Sequence, residues 1–258
     1  MKRALNLLRA AVHYRKDAFN EGLRANGFAV VDGLRDPGPG DVLVIWNRYG
    51  RSDDEAARFE AAGATVLVAE NGYLGKAWQG SDWYALARGH HLGAGEWHHG
   101  GPERWAAVGV ECAPWRDSGK HSKDILVLGQ RGIGERGIAS PFEWAERAAM
   151  RLPNSRIRQH PGTAPPRVAL VDDLFTVGAV ATWSSGAALQ ALLMGTPVWF
   201  NMPQWIGGPA ATPLGQWQRG ALPLRDDVAR LGMFERLAWA MWTLDEVRSG
   251  EAIAMVLA

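Results

Sequence analysis

Apolar positions in this chain fall into short blocks separated by Gly- and Pro-marked turns, and the blocks alternate between two periods. Residues 4–12 read as a first strand, and residues 17–25 place Phe19 and Leu23 on one helical face before a stop at Gly27. Residues 28–31 make a short strand and Pro37-Gly-Pro-Gly40 a turn. The run Asp41-Val-Leu-Val-Ile-Trp46 has the unbroken apolar character of a strand buried on both faces. A helix from 52 to 63 and a strand over 64–69 complete one α/β unit. Over 71–120 the periodicity fades among Gly, His and Trp, which predicts irregular loops and short elements. The polar run Arg116–Asp124 reads as a linker.

The alternation restarts with a strand at 125–128, the glycine-rich loop 129–134, a helix over 141–152 and a strand at 155–159. Short strands follow at 168–171 and 179–182, then a helix over 184–194 and a strand at 197–200. From Asp227 to Ala254, Phe234, Leu237, Ala238, Met241 and Trp242 recur at helical spacing, which predicts one amphipathic helix interrupted at Gly250. Strand and helix alternating in both halves predict an α/β protein with two Rossmann-like domains and a ligand cleft between them. The expected boundaries are residues 1–120, 121–232 and a C-terminal helix over 233–258.

Composition narrows the function classes. The 258 residues carry a net charge of +1, which excludes a uniformly basic nucleic-acid coat, although residues 1–30 and 151–167 are locally basic. No run of about twenty apolar residues occurs, so no membrane span is expected, and the N-terminus lacks the pattern of a secretory signal. The single Cys112 allows no intramolecular disulfide and suits a reducing cytoplasm; it reads as a structural thiol.

Candidate chemistry gathers at strand ends. In Thr182-Trp-Ser-Ser-Gly-Ala a strand gives way to a helix whose first N–H groups lack internal partners and face the positive end of its dipole. With the hydroxyls of Ser184 and Ser185 and the close approach allowed by Gly186, this start suits a phosphate; an ordinary Ser N-cap accounts for it equally well. His160-Pro161-Gly162 ends a strand in the same half, where an imidazole can donate to an anion, and Arg156 and Arg158 alternate just upstream. Arg131 and Gly132 lie in the glycine-rich loop. In the first half Glu70 projects from a strand end as a candidate general base. Asp17 and His13 compete for that role. The pairs His90/His91 and His98/His99 match no usual ligand spacing, so no metal is expected.

Taken in order, Glu70-Asn-Gly-Tyr73, Gln130, His160-Pro161 and Ser184 through Gly195-Thr-Pro-Val198 resemble motifs of the capsule-polysaccharide-biosynthesis family of GT-B-type glycosyltransferases. The resemblance spans about residues 40–205. It implies a GT-B-like fold with a nucleotide-sugar donor, UDP-sugar favoured, as cosubstrate and no cofactor or metal. Donor contacts would come from Arg131, Gly132, His160, Ser184, Ser185, Gly186 and Gln190. Glu70 or Asp17 would act as base, with His13, Arg15, Arg48, Asn71 and Tyr73 on the acceptor side. The overall look is also similar to compact phage enzymes that glycosylate hydroxymethylated pyrimidines, which favours 5-hydroxymethylcytosine in duplex DNA as acceptor. The alternative acceptor is a capsule or surface polysaccharide, with CMP-Kdo or a UDP-sugar as donor. Asn71 stands where the family has an acid, and Gln190 where a Glu contacts the ribose. These two departures support a third reading, a non-catalytic nucleotide-sugar-binding module.

Overall fold

The computed structural model describes residues 2–116, 123–135 and 137–258. Two compact units divide the chain. Residues 1–100 and 238–258 form unit 1, and residues 101–237 form unit 2. Compared with the expected boundary near residue 120, unit 2 starts earlier, and the C-terminal residues belong to unit 1. Of the expected linker, residues 117–122 lie outside the described residues.

Unit 1 opens with β1 (Arg3–Asn6), α1 (Lys16–Ala25), β2 (Ala29–Val31), β3 (Val42–Trp46), α2 (Arg51–Ala61), β4 (Thr65–Asn71) and β5 (Trp83–Arg88). Strands β1 to β4 pair in parallel, and β5 runs antiparallel to β4. The period of two in β3 sorts its side chains onto opposite faces. Val42 and Val44 join Phe19 and Leu23 of α1, while Leu43 and Ile45 join Ala56 and Phe59 of α2. The first strand is shorter than expected because Asn6 ends it. Its Oδ1 accepts the Leu8 N–H at 3.0 Å, and its Nδ2 donates to Asn20 Oδ1 at 2.8 Å.

Unit 2 contains α3 (Glu103–Val108), β6 (Ile125–Leu128), α4 (Trp144–Arg151), β7 (Ser155–Arg158), α5 (Leu170–Phe175), β8 (Ala179–Thr182), α6 (Gly186–Leu193), β9 (Val198–Phe200), β10 (Thr212–Pro213) and α7 (Asp227–Ala238). Its five strands are parallel in the order β10-β9-β8-β6-β7. Val127, Ala181 and Trp199 pack against Trp144 and Ala148 of α4. The run at 168–171, expected as a strand, instead leads into α5. An apolar pair too short to show a period leaves strand and helix undistinguished, and here both valines are exposed.

The chain then returns to unit 1 with β11 (Met241–Thr243), α8 (Leu244–Ser249) and α9 (Glu251–Leu257). Strand β11 pairs antiparallel with β5, so the six-stranded order is β11-β5-β4-β3-β1-β2. The single helix expected over 227–254 is therefore two helices separated by a strand and a third helix. Thr243 and Glu246 form a capping box that starts α8, a Thr-x-x-Glu signal present in the sequence. Gly22 lets α8 approach α1: a Cβ there would stand 2.1 Å from the Val247 carbonyl oxygen. Residues 72–116 are loops and short elements, as expected, and include β5, whose buried Trp-Tyr-Ala-Leu-Ala run is covered on both edges. Each unit is thus a parallel-dominated α/β sheet with helices on its faces, the Rossmann-like pair expected from the alternation. Among the described residues no helix is long and apolar enough to cross a membrane.

Candidate functional site

In unit 2 the chain leaves β6 for β7 on one side and comes back past it to β8 on the other. Doubly wound sheets take ligands outside the C-terminal strand ends at such a switch point. The segments that meet there are Gln130-Arg131 after β6, His160 after β7 and Ser184–Gly186 after β8.

The start of α6 is tied together from within. Gln130 Oε1 accepts the Ser184 N–H at 2.8 Å, and Gln130 Nε2 donates to Ser184 Oγ at 3.1 Å. Thr182 Oγ1 accepts the Ser185 N–H at 2.8 Å, and Ser185 Oγ caps the helix by accepting the Ala187 N–H at 3.2 Å. Ser184 is buried. Its hydroxyl is therefore engaged by Gln130 rather than aimed outward, and the Ser185 hydroxyl serves as the N-cap. Among the described residues the Gly186 N–H meets no acceptor. It sits at the positive end of the dipole, where an anion is favoured.

His160, after β7, has a defined tautomer. Its Nδ1 accepts the Gly162 N–H at 2.9 Å, which in the neutral ring leaves the proton on Nε2. Burial, followed by the nearby charge of Arg131, pushes the imidazole pKa below its ordinary value. A Cβ on Gly162 would stand 3.1 Å from His160 Nδ1 and 3.2 Å from Arg131 Cδ, so these three residues share one corner. Gly132, at φ 66°, turns the loop that carries Arg131. Gln190 lies one turn into α6 and is half-buried. Arg156 and Arg158, of which at least one was expected to face the crevice, are both engaged elsewhere. Both pair with the buried Asp173 of α5, Arg156 at 2.6 Å. Cys112 is half-buried, and burial pushes its thiol pKa up.

Unit 1 has its own switch point between β1 and β3. The loop after β1 brings His13 edge-on to Tyr14 and Trp46, at centroid distances of 4.9 and 5.5 Å, with Lys76 Nζ 3.2 Å from His13 Nδ1. Burial and Lys76 lower the His13 pKa. Lys76 and Trp46 went unnoticed in the sequence, because a lone Lys in a glycine-rich loop and a strand-end Trp carry no motif.

Glu70 lies near the end of β4, half-buried, its Oε2 accepting the Leu92 N–H at 2.9 Å and its carboxylate bonded to the Tyr73 hydroxyl. Burial pushes its pKa up to about 7, against the lowering effect of these two donors. Gly72 makes the arrangement possible, since a Cβ there would meet Trp83 Cβ at 2.6 Å. Asn71 is exposed opposite Tyr84. Asp17 does not join Glu70: it is exposed in the first turn of α1 and lies within ion-pair distance of Arg15 and Arg248. Arg15 also faces Asp82 at 3.8 Å. Arg48 binds Asp53, Glu60 and the Gly89 carbonyl, which makes it a brace of the fold rather than an open cation. His91 Nδ1 accepts the Arg48 N–H and His91 stacks on His90, while His98 and His99 lie against Trp239 and Trp97. Among the described residues no group of three or more His, Cys, Asp or Glu side chains gathers around a common point.

No protein-family model matches this sequence, and no curated protein does. Solved structures do. The Thermosulfurimonas dismutans KpsC β-Kdo 2,7 transferase superposes with a TM-score of 0.57 at 13% identity, covering 98% of this chain and 99% of that one. The KpsC β-Kdo 2,4 transferase of the same organism gives 0.56 at 14% identity, over 93% and 92%. What is shared is the fold. At this identity the likeness places the chain in the GT-B-like architecture of those transferases and leaves its chemistry to the residues.

Proposed function

We propose that the chain is a glycosyltransferase that moves a sugar from a nucleotide-activated donor to a hydroxyl of a surface glycan. The observation that carries this reading is that three segments follow neighbouring strand ends at the switch point of unit 2: Arg131 after β6, His160 with its Nε2 proton after β7, and the Gly186 N–H after β8. Two donors and one cation around a helix start suit the phosphate of a departing nucleotide, whose developing charge they stabilise without having to reorganise. In unit 1 Glu70, with a pKa near neutrality, suits the base. The acceptor oxygen bonds to the anomeric carbon as the carbon–oxygen bond to phosphate breaks. The acceptor proton passes to a general base, and the electron pair leaves on the nucleotide.

The full-length likeness to two KpsC transferases supports a Kdo-type sugar from CMP-Kdo and a glycan acceptor ahead of a hexose from a UDP-sugar. The duplex-DNA acceptor draws less support. Part of the local basic charge is engaged within the fold: Arg3 with Asp41, Arg15 with Asp17 and Asp82, Arg156 and Arg158 with Asp173. Trp105, Trp199, Trp205 and Trp242 are buried, so their rings are not open to stacking on bases.

The test is to incubate the protein with CMP-Kdo or UDP-sugars and either Kdo-containing oligosaccharides or hydroxymethylated duplex DNA, then weigh the products. A mass gain of one sugar on the oligosaccharide is expected. A gain on DNA alone would reverse the acceptor assignment. Nucleotide binding without transfer to either would favour the non-catalytic module.

A further inference from the structure

We propose that Gln130 is a positioning residue that sets the start of α6 for an anion, and that Ser184 acts through Gln130 rather than as a ligand. The inference rests on the donor site described above and assigns a role that site does not itself require. Strands β6 and β8 are neighbours, and Leu128 lies directly opposite Thr182 at their C-terminal ends. Two residues past Leu128, the Gln130 amide spans the switch point and uses both of its ends. Its Oε1 accepts the Ser184 N–H at 2.8 Å and faces Thr182 Oγ1 at 3.5 Å; its Nε2 donates to Ser184 Oγ at 3.1 Å.

Thr182 in turn holds the Ser185 N–H. One side chain from the β6 loop therefore controls, directly or through Thr182, two successive amides leading into the helix. Thr182 and Ser184 are both almost fully buried, at 0% and 2% exposure, so their polar atoms depend on the partners that the fold supplies. Their geometry decides where the Gly186 N–H points. A ligand-contacting hydroxyl at Ser184 would need exposure that this arrangement denies it.

An amide differs from a carboxylate here in one useful way. Glutamate at position 130 can still accept from the Ser184 N–H and from both hydroxyls, but it adds a negative charge next to the proposed anion. Affinities of wild type, Gln130→Ala, Gln130→Glu, Ser184→Ala and the Gln130→Ala/Ser184→Ala double variant for CMP and UMP are to be measured by calorimetry, with melting temperatures alongside. Gln130→Glu is expected to melt close to wild type yet bind nucleotide at least about tenfold more weakly, which a purely structural residue would not do. Gln130→Ala is expected to weaken binding about tenfold, and adding Ser184→Ala to it to cost little more. Wild-type affinity in both Gln130 variants would overturn the proposal. So would additive losses in the double variant, because Ser184 would then contact the ligand independently. If wild type itself bound neither nucleotide, the donor-site reading would fall and this one with it, whereas binding by wild type with unchanged variants would remove this one alone.

Discussion

The Glu70 carboxylate accepts the backbone N–H of Leu92 at 2.9 Å, and Leu92 holds that N–H in place from a left-handed backbone conformation, φ 58°. The next amide, Gly93, donates to the hydroxyl of Tyr73, which is itself bonded to Glu70. Two successive N–H groups thus hold a half-buried carboxyl and a buried phenol. A non-glycine residue in this conformation costs about 1 kcal/mol, a local strain of the kind found where the surrounding structure over-determines a site.

Glu70 gives a pH signature with a definite sign. Its folded-state pKa of about 7 lies above the ordinary 4.5, so folding takes up a proton between those values. Stability therefore falls as pH rises from about 4.5 to 7 and levels off above. Glu70→Gln removes this slope, and the difference from wild type above pH 7 is on the order of 3 kcal/mol or less. Thermal melts across that window check the stability. If Glu70 is the base, kcat/KM is half-maximal near pH 7 and levels off above it, and Glu70→Gln lowers the plateau about 100-fold or more. A lost stability slope with unchanged turnover would make Glu70 structural.

His160→Ala should weaken nucleotide binding by about tenfold while leaving stability nearly unchanged, since a charge-assisted hydrogen bond to phosphate is lost from a half-buried ring. Because the ring pKa is lowered, it stays neutral above pH 6.5, and binding should not strengthen between pH 8 and 6.5. Calorimetry at several pH values decides this. A rise in affinity over that range would mean the cationic ring is the donor.

Asp173 holds two arginines from the edge strand of unit 2. The Arg158 and Asp173 side chains are each only 10% exposed, so Asp173→Ala leaves a guanidinium buried without its partner. A loss of about 3 kcal/mol is expected, read as a lower urea midpoint. A midpoint within error of wild type would show that solvent reaches the pair freely.

Gly72→Ala should be far more damaging than its single methyl suggests. The added carbon would lie 2.6 Å from Trp83 Cβ, forcing β4 and β5 apart at a cost of about 2–3 kcal/mol. Since Gly72 lies between Glu70 and Tyr73, the same change should also flatten the pH dependence of stability. Melting curves at pH 5 and 8 test both effects together.

What the sequence disclosed follows from which interactions are local. The alternating faces of β3, the stop of α1 at Gly27 and the Ser185 cap depend on neighbours along the chain, and they were legible. So was the order of strand-end segments in unit 2, because a strand, a turn and a helix start leave a pattern within a few residues. Pairing of β11 with β5 joins residues more than 150 positions apart, and an i, i+3 reading of Phe234 through Trp242 carried straight across it. The Thr243–Glu246 capping box was the local clue that a new helix begins there. At the site, position was easier to read than role. Ser184 and Arg158 lie on the segments expected, but Gln130 and Asp173 decide which way their polar atoms turn, and each does so from a different strand or helix.

Because residues 238–258 supply an outer strand and two helices to unit 1, that unit is interrupted in the sequence by the whole of unit 2. During synthesis unit 2 can fold as soon as it leaves the ribosome, while unit 1 must wait with an open sheet edge at β5 and an uncovered face on α1. Domains generally fold in the order they emerge; here the first to emerge is the last to finish. A chain stopped after Leu237 should keep a protease-resistant unit 2 and lose unit 1, which limited proteolysis would show. Residues 238–258 then act as a latch that closes unit 1, and a change that keeps β11 from pairing with β5 would be felt across that whole sheet.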